Sequence, residues 1–192
     1  MIKWIKKSEH ELFRKRIFAL KDIECYHPDK DVTHTFFTID THDWINVIAR
    51  TEDDRYVMVR QHRLGTDEIT LETPGGLIEG DESPRDTALR ELREESGYEA
   101  AEIHLLKKLS ANPAILNNYI YFYYATGCRR LHDQELDLSE DIEVATYTRD
   151  EIMEMISTGV INHSVIITAF YLFFLSPWSG LVDRAGGLAP LT

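Results

Sequence analysis

The segment ETPGGLIEGDESPRDTALRELREESGYEA, residues 72–100, decides how the rest of the chain is interpreted. Its helical part ends with Glu91, Glu94 and Glu95, which share one helix face because successive residues are about 100° apart. Carboxylates in the last turn face the negative end of the helix dipole, at a cost of about 0.3–1 kcal/mol each. A solvated charged face is the ordinary explanation of such a run, and a bound cation is the functional one.

The loop before these glutamates favours the cation. Gly75 and Gly76 allow the backbone to approach other groups closely, and they leave carbonyls exposed. Carboxylates on one helix face together with a free carbonyl form a set of hard oxygen ligands, which suits Mg²⁺ or Mn²⁺. A divalent ion would also remove the repulsion within the bare helix.

The ends of this helix are marked in the sequence. Ser83 is a suitable N-cap, Pro84 fits the first helical position, and Asp86 can reach back to the cap. Gly97 predicts the C-terminal end. The spacing therefore predicts a helix that begins after Ser83 and stops before Gly97.

The composition limits the classes of function. The chain has 192 residues, which suits one domain with a sizeable core, and its net charge is 21 − 33 = −12. This balance argues against general nucleic-acid binding, which needs a basic surface. A small anion can still bind where metal ions or arginines reverse the local field.

The sequence gives no sign of a targeting or membrane segment. The basic N-terminal segment lacks the apolar stretch of a signal peptide, and the longest apolar run, residues 165–175, is too short to cross a bilayer. Cys25 and Cys128 lack metal-ligand spacing and are expected to be reduced thiols in the core. We therefore expect a cytoplasmic protein that does not contact membranes.

Strand patterns outnumber helical ones along the chain. SEHELFRKRIF (8–18) predicts a short helix that passes into a strand continuing to residue 27. Other strands are predicted in HTFFTI, WINVIAR, YVMVRQHR, EITLET, EIHLLKKLS, YIYFYYATG and DIEVATYT. Later helices are predicted in RDEIMEMISTG, capped by Thr148, and in HSVIITAFYLFFL. This mixture is typical of an α+β or α/β/α sandwich fold.

The segment that carries the glutamates resembles a known motif. Gly76, five residues, Glu82, seven residues and then RELREESGY from Arg90 to Tyr98 are similar to the signature of Nudix hydrolases, called the box here. The one departure is Tyr98, where that family usually has an aliphatic residue. The resemblance implies an α/β/α sandwich with a mixed central sheet, preceded here by a small N-terminal β element. It also implies cleavage of a nucleoside diphosphate linked to another moiety.

The resemblance implies roles for the residues of the box. Glu94 and Glu95 are the catalytic candidates, and Glu82 and Arg90 would pair to lock the loop against the helix. The ligands expected for Mg²⁺, with Mn²⁺ as a substitute, are the carboxylates of Glu91, Glu94 and Glu95 and the carbonyl of Gly75.

The general base is expected outside the box. In the ADP-ribose pyrophosphatase branch of the family it looks to come from a flexible acidic loop, and the matching segment here is HDQELDLSEDIEV (132–144). Glu140 is the first candidate, while Asp137, Glu135 and Asp141 stay open.

Further segments are similar to the ADP-ribose and nucleotide-sugar branch. WINVIA, VRQHR, LETPGG, NPAILNN and SEDIEV occur in the order that branch uses, and Pro113 lies where it tends to carry proline. Arg63 is placed to meet substrate phosphates through bidentate hydrogen bonds. Glu72 is a candidate for contact with ribose or a metal-bound water, and Trp44 for stacking on the base.

The expected reaction is Mg²⁺-dependent hydrolysis of the pyrophosphate bond in ADP-ribose or a related nucleoside diphosphate sugar, giving a nucleoside monophosphate and a sugar phosphate. The alternatives are a nucleotide-pool sanitising hydrolase acting on (d)NTPs and a non-catalytic nucleotide-sensing domain. The expected organisation is a homodimer, with an N-terminal strand region (1–42) as its candidate dimerisation element, a hydrolase domain (43–178) and a C-terminal tail (179–192).

Overall fold

The computed structural model describes residues 1–180, so most of the predicted C-terminal tail lies outside the described residues. The chain divides into two compact units. Of the described residues, the first unit comprises Met1–Asp43 and Leu109–Ile120, and the second comprises residues 44–108 and 121–180. The box lies in the second unit.

The first unit is built on an antiparallel sheet. Its strands β1 (Ile5–Lys15), β2 (Phe18–His27) and β3 (Val32–Thr41) lie in the sheet in the same order as in the chain. The short helix predicted before β2 is wrong, because these residues form β1. Contacts with β2 favour the strand: Lys21 Nζ lies 2.6 Å from Glu9 Oε1, and the ring centroids of Phe13 and Phe18 are 6.2 Å apart.

A larger sheet carries the box. Within residues 1–180 it has eight strands: β4 (Trp44–Thr51), β5 (Tyr56–Arg63), β6 (Glu68–Glu72), β7 (Gly75–Leu77), β8 (Tyr98–Glu99), β9 (Glu102–Ser110), β10 (Tyr119–Arg130) and β11 (Glu143–Tyr147). The central order is β11-β5-β4-β10-β8, with β6 beside β5, β7 beside β4 and β9 beside β10. The short strands β7 and β8 were not predicted, because each depends on a partner distant in sequence.

The described helices are α1 (Pro84–Ser96), α2 (Arg149–Ser157) and α3 (Ser164–Phe174), with 3₁₀ turns at Pro28–Lys30 and Pro177–Ser179. The predicted caps of α1 are confirmed, since Ser83 Oγ accepts from the Asp86 amide at 3.1 Å and Gly97 is left-handed at φ 75°. Thr148 caps α2 in a capping box with Glu151. In residues 1–180, every helix is too short or too polar to cross a bilayer.

Helices cover both faces of the larger sheet. On one face α1 packs over β4 in a buried cluster that includes Ile45, Val47, Ala49, Ala88 and Leu92. Neighbouring strand residues point to the opposite face, where Tyr56 packs against Phe170 and Phe173 of α3 with ring centroids 5.8 and 5.7 Å apart. The predicted sandwich with a mixed sheet is confirmed.

Candidate active site

Helix α1 places its three glutamates at different depths. Glu95 is buried at 4% exposure, whereas the side chains of Glu91 and Glu94 are 14% and 29% exposed. Leu92 packs into the core from the adjacent arc of the helix. The acidic face of α1 is therefore held beside β7, the strand that contains Gly75 and Gly76.

Glu95 is the most constrained of the three. The Gly75 amide donates a hydrogen bond to Glu95 Oε2 at 2.9 Å. The pKa of Glu95 is raised to about 8, mainly by burial. The bond from Gly75 opposes this shift, and the nearby charges of Glu91 and Glu140 add to it. The fold therefore holds this carboxylate where its negative charge lacks compensation.

Glu91 lies against the glycine loop. A Cβ built on Gly76 would overlap the Glu91 carboxylate, so a side chain at this position would displace that carboxylate. Burial raises the pKa of Glu91 to about 7, although Arg90 Nη1 lies 3.0 Å from Glu91 Oε1. A second, partly buried carboxylate thus lies beside Glu95 on the same face.

Glu82 and Arg90 form the pair expected from the box. Arg90 donates from Nε to Glu82 Oε1 at 3.1 Å and from Nη2 to Glu82 Oε2 at 3.1 Å, and Thr87 Oγ1 donates to Glu82 Oε2 at 2.9 Å. Hydrogen bonding to Arg90 lowers the pKa of Glu82. Arg90 also donates from Nη1 to Glu94 Oε2 at 2.8 Å, so one guanidinium joins the loop to the acidic face.

The donor chemistry of this face fits a hard divalent cation. Its ligand atoms are oxygens, and burial raises the pKa values of two carboxylates to about 7 and about 8, as expected where a cation would relieve their repulsion. In residues 1–180, however, the His, Cys, Asp and Glu side chains do not converge into a group of three that could hold an ion as they stand. Glu95 faces the Gly75 amide, and Glu91 and Glu94 face Arg90.

The acidic loop lies on the C-terminal end of α1. The amides of Leu131 and His132 donate to the Gly97 carbonyl at 3.0 and 3.2 Å. The Glu135 amide donates to the Glu94 carbonyl at 2.9 Å. These bonds satisfy carbonyls that a helix end leaves without partners.

Glu140, the first candidate for the general base, is exposed on this loop. Its charge contributes to the raised pKa values of Glu91 and Glu95, so it acts on the same site. Among the alternatives, Glu135 Oε2 lies 3.2 Å from Arg93 Nη2. The Asp137 amide donates to Glu140 Oε2 at 3.0 Å, which tethers the Glu140 side chain.

Arg63 and Glu72 form a second charged group of this unit. Arg63 donates from Nε and Nη2 to the two oxygens of Glu72, each at 2.7 Å, and its side chain is 45% exposed. Glu72 is 2% exposed, and its carboxylate also accepts from Thr70 Oγ1 at 2.6 Å and lies 3.5 Å from His163 Nδ1. Burial alone would raise the pKa of Glu72, but Arg63, His163 and Thr70 together hold it well below its usual range.

Sequence reasoning missed Thr70 and His163 as partners of Glu72. His163 directly precedes α3, more than ninety positions along the chain from Thr70. Only the tertiary fold brings these residues together, so the local sequence holds no signal for the contact. In this arrangement Glu72 fixes the guanidinium of Arg63 and turns its own carboxylate away from solvent.

The last two candidates lie in different units. Trp44 begins β4 in the second unit, half-buried and opposite Leu77 of β7. Pro113 is exposed in the segment Leu109–Ile120 of the first unit. The roles of both in substrate binding stay predictions.

The NUDIX domain model matches residues 40–170 of this chain. The methanol dehydrogenase activator of Bacillus methanolicus is 34% identical over 126 residues, covering 65% of this chain and 68% of that protein. The ADP-ribose pyrophosphatase of Bacillus subtilis (strain 168) is 28% identical over 156 residues, covering 79% and 84%. A crystal structure of an ADP compounds hydrolase matches with a TM-score of 0.80, covering 90% of this chain and 93% of that one, and at 21% identity this likeness shows the shared fold.

Proposed function

Because this chain belongs to the NUDIX family and is a pyrophosphohydrolase, we propose that it hydrolyses the pyrophosphate bond of ADP-ribose or a related nucleoside diphosphate sugar with Mg²⁺. The products are a nucleoside monophosphate and a sugar phosphate. Mn²⁺ substitutes for Mg²⁺, since both ions accept the same hard oxygen donors. The alignment with the Bacillus subtilis ADP-ribose pyrophosphatase over most of both chains supports this substrate class.

The observation that carries the proposal is the acidic face of α1. The buried carboxylate of Glu95 and the partly buried one of Glu91 have raised pKa values in a protein with a net charge of −12, so the fold maintains an arrangement that costs stability. Such strain is expected where function requires it. A structural role alone would be served better by neutral side chains.

The metal site is proposed to comprise the carboxylates of Glu91, Glu94 and Glu95 and the carbonyl of Gly75. These residues would hold a divalent cation, which would neutralise phosphate oxygens and lower the pKa of a water molecule. The Glu82–Arg90 pair fixes the loop that presents the Gly75 carbonyl.

The remaining groups act on the substrate and on water. Glu140 accepts a proton from the water that attacks one phosphorus, and the bond from that phosphorus to the bridging oxygen breaks as the other phosphate leaves with the electron pair. Arg63, fixed by Glu72, donates hydrogen bonds to the phosphates. Trp44 stacks on the base.

The first unit is proposed to form the homodimer interface. Its sheet exposes large apolar side chains, among them Phe13 at 48% and Phe37 at 57% exposure. Phe13 is opposite Leu20 and Phe37 is opposite Asp22, so both lie on one face of β2. Apolar surface of this kind is commonly covered by another protein surface.

A hydrolysis panel tests the proposed reaction. ADP-ribose, ADP-glucose, GDP-mannose, UDP-glucose, diadenosine polyphosphates, coenzyme A and dNTPs are incubated with enzyme and Mg²⁺, and released phosphomonoesters are freed by phosphatase and counted. Glu95→Gln is the blank. Turnover concentrated on a sugar nucleotide supports the proposal, whereas turnover confined to dNTPs overturns it in favour of nucleotide-pool sanitising. Saturable binding without any turnover indicates a sensing domain.

A further inference from the structure

The side chain of Gln134 joins two elements of the site. Its Nε2 donates to the Glu95 carbonyl of α1 at 2.7 Å and to the Ile142 carbonyl at 2.9 Å, just before β11. Gln134 is itself half-buried in the acidic loop. A single amide group therefore ties the loop both to the helix and to its own far end.

The two carbonyl acceptors belong to the two parts of the proposed site. One lies in α1, which carries the proposed metal ligands, and the other lies just after the proposed general base. Glu95 belongs to the acidic face, and Ile142, which is 6% exposed, follows Glu140 by two residues. The buried Ile142 side chain anchors the backbone on one side of Glu140, and the Gln134 amide links that anchor to α1. The distance between Glu140 and the acidic face thus depends on this link.

From this geometry we propose that Gln134 is a positioning residue for hydrolysis, holding Glu140 at a fixed distance from the acidic face of α1. The inference deepens the proposed function and rests on it. A glutamine suits the task because its amide nitrogen carries two N–H donors, one for each carbonyl. Glutamate lacks both donors at the same size, and methionine lacks them at a similar size.

Steady-state kinetics of Gln134→Met and Gln134→Glu provide the first test. Both variants keep the volume of the side chain, and thermal melting checks that each is folded. We expect kcat to fall about 10–100-fold, as for other residues that orient catalytic groups, while KM changes less than about threefold because substrate contacts remain. Gln61→Met is the matched control, because within residues 1–180 the side-chain amide of Gln61 makes no hydrogen bond, and its kcat is expected to equal that of the wild type. Wild-type kcat in both Gln134 variants overturns the proposal.

A double-mutant cycle separates positioning from general structural damage. If Gln134 acts through Glu140, then adding Gln134→Met to Glu140→Gln lowers kcat by less than about twofold further. If the two substitutions lower kcat by independent factors that multiply in the double variant, the inference is contradicted. A purely structural defect would lower kcat equally in both backgrounds.

Hydrogen exchange tests the link without requiring turnover. In Gln134→Met, the amides of residues 135–141 are expected to exchange faster than in the wild-type protein, while those of α1 stay protected. Unchanged exchange in this loop overturns the link. If the wild-type protein hydrolyses nothing in the panel, the proposed function fails, and this measurement still decides separately whether Gln134 fixes the loop.

Discussion

The residues of the proposed site differ in how far the neighbouring sequence determines their position, burial and protonation. Glu94 shares a face with Glu91 and Glu95 because of the helical repeat alone. The raised pKa of Glu95 instead depends on burial beneath β7 and on the charges of Glu91 and Glu140. Position on the helix could therefore be predicted from the sequence, whereas depth and protonation could not.

Glu95→Gln is predicted to stabilise the metal-free protein and to abolish turnover. The glutamine oxygen can still accept from the Gly75 amide, while the buried charge is removed, which should add roughly 1–3 kcal/mol to the free energy of unfolding at pH 8. Turnover should fall by at least on the order of 10²–10³, to the level of the background. Urea unfolding in EDTA and initial rates in Mg²⁺ measure the two effects. An active Glu95→Gln variant would remove Glu95 from the site.

The pH dependence of this stabilisation follows from the sign of the pKa shift. The pKa of Glu95 is raised to about 8 in the folded protein. In the wild type, the contribution of protonated Glu95 to the free energy of unfolding is therefore complete at pH values below its pKa in the unfolded chain, and it is lost as pH rises through about 8. In EDTA, the stability gap between Glu95→Gln and wild type should therefore widen from pH 5 to pH 8. Unfolding curves across this range test the trend, and a gap that narrows with pH contradicts it.

Arg63→Ala is predicted to destabilise the protein by about 2–3 kcal/mol at pH 7, less than for a fully buried pair because Arg63 is 45% exposed. The cost arises because Glu72 stays charged and buried. In the wild type, the pKa of Glu72 is lower in the folded protein than in the unfolded chain. Glu72 therefore stabilises the protein at pH values above its pKa in the unfolded chain, and this contribution is lost as pH falls through its pKa in the folded protein. The difference in free energy of unfolding between Arg63→Ala and the wild type should therefore become smaller as pH falls below about 5.

Urea unfolding with Arg60→Ala as control measures this effect. Arg60 pairs with Glu143 at 3.7 Å, but both side chains are exposed, at 54% and 78%. Its removal should change stability by less than about 1 kcal/mol at any pH. Equal losses in the two arginine variants would contradict the special role of the buried Glu72.

At the scale of elements, local signals were sufficient for helices and insufficient for some strands. Ser83 and Thr148 cap the N-termini of α1 and α2, and Gly97 caps the C-terminus of α1. Each cap is adjacent in sequence to its helix, and the sequence predicts all three. The sequence of β1 predicts a helix in part because its charged residues lack strict alternation, and only pairing with β2 determines its conformation. Gln134 was likewise missed, since its two acceptors are distant in sequence.

Gly76→Ala is predicted to lower turnover at least about tenfold, because the added Cβ displaces the Glu91 carboxylate from its place on β7. The fold should persist, since Glu91 is a flexible side chain. Gly65→Ala is the matched control: its Cβ would meet nothing within 4 Å, so its rate should equal that of the wild type. Initial rates in Mg²⁺ compare the two variants, and equal rates would show that Glu91 need not lie against Gly76.

At the scale of the whole molecule, the chain combines an acidic hydrolase unit with a sheet that exposes apolar residues. The net charge of −12 argues against general nucleic-acid binding, which needs a basic surface. The family and fold class could be predicted from the sequence, because the box fixes both. The base and the sugar could not, since those contacts depend on segments outside the box.

Phe37→Glu is predicted to convert the dimer into a monomer by placing a charge in the apolar face of the N-terminal sheet. Sedimentation velocity should give twice the monomer mass for the wild type and the monomer mass for the variant. Tyr171→Glu is the matched control, since Tyr171 is an equally exposed aromatic residue, at 63%, on α3. A monomeric wild type, or a variant that remains dimeric, would refute the proposed interface.

The most direct test of the central claim is product analysis in ¹⁸O-labelled water with the preferred sugar nucleotide. With Mg²⁺ present, mass spectrometry should find a nucleoside monophosphate and a sugar phosphate, one of which carries a single ¹⁸O atom. In EDTA, or with Glu95→Gln, these products should be absent. Undiminished products under either condition would contradict the claim that the acidic face of α1 is a metal-dependent site for pyrophosphate hydrolysis.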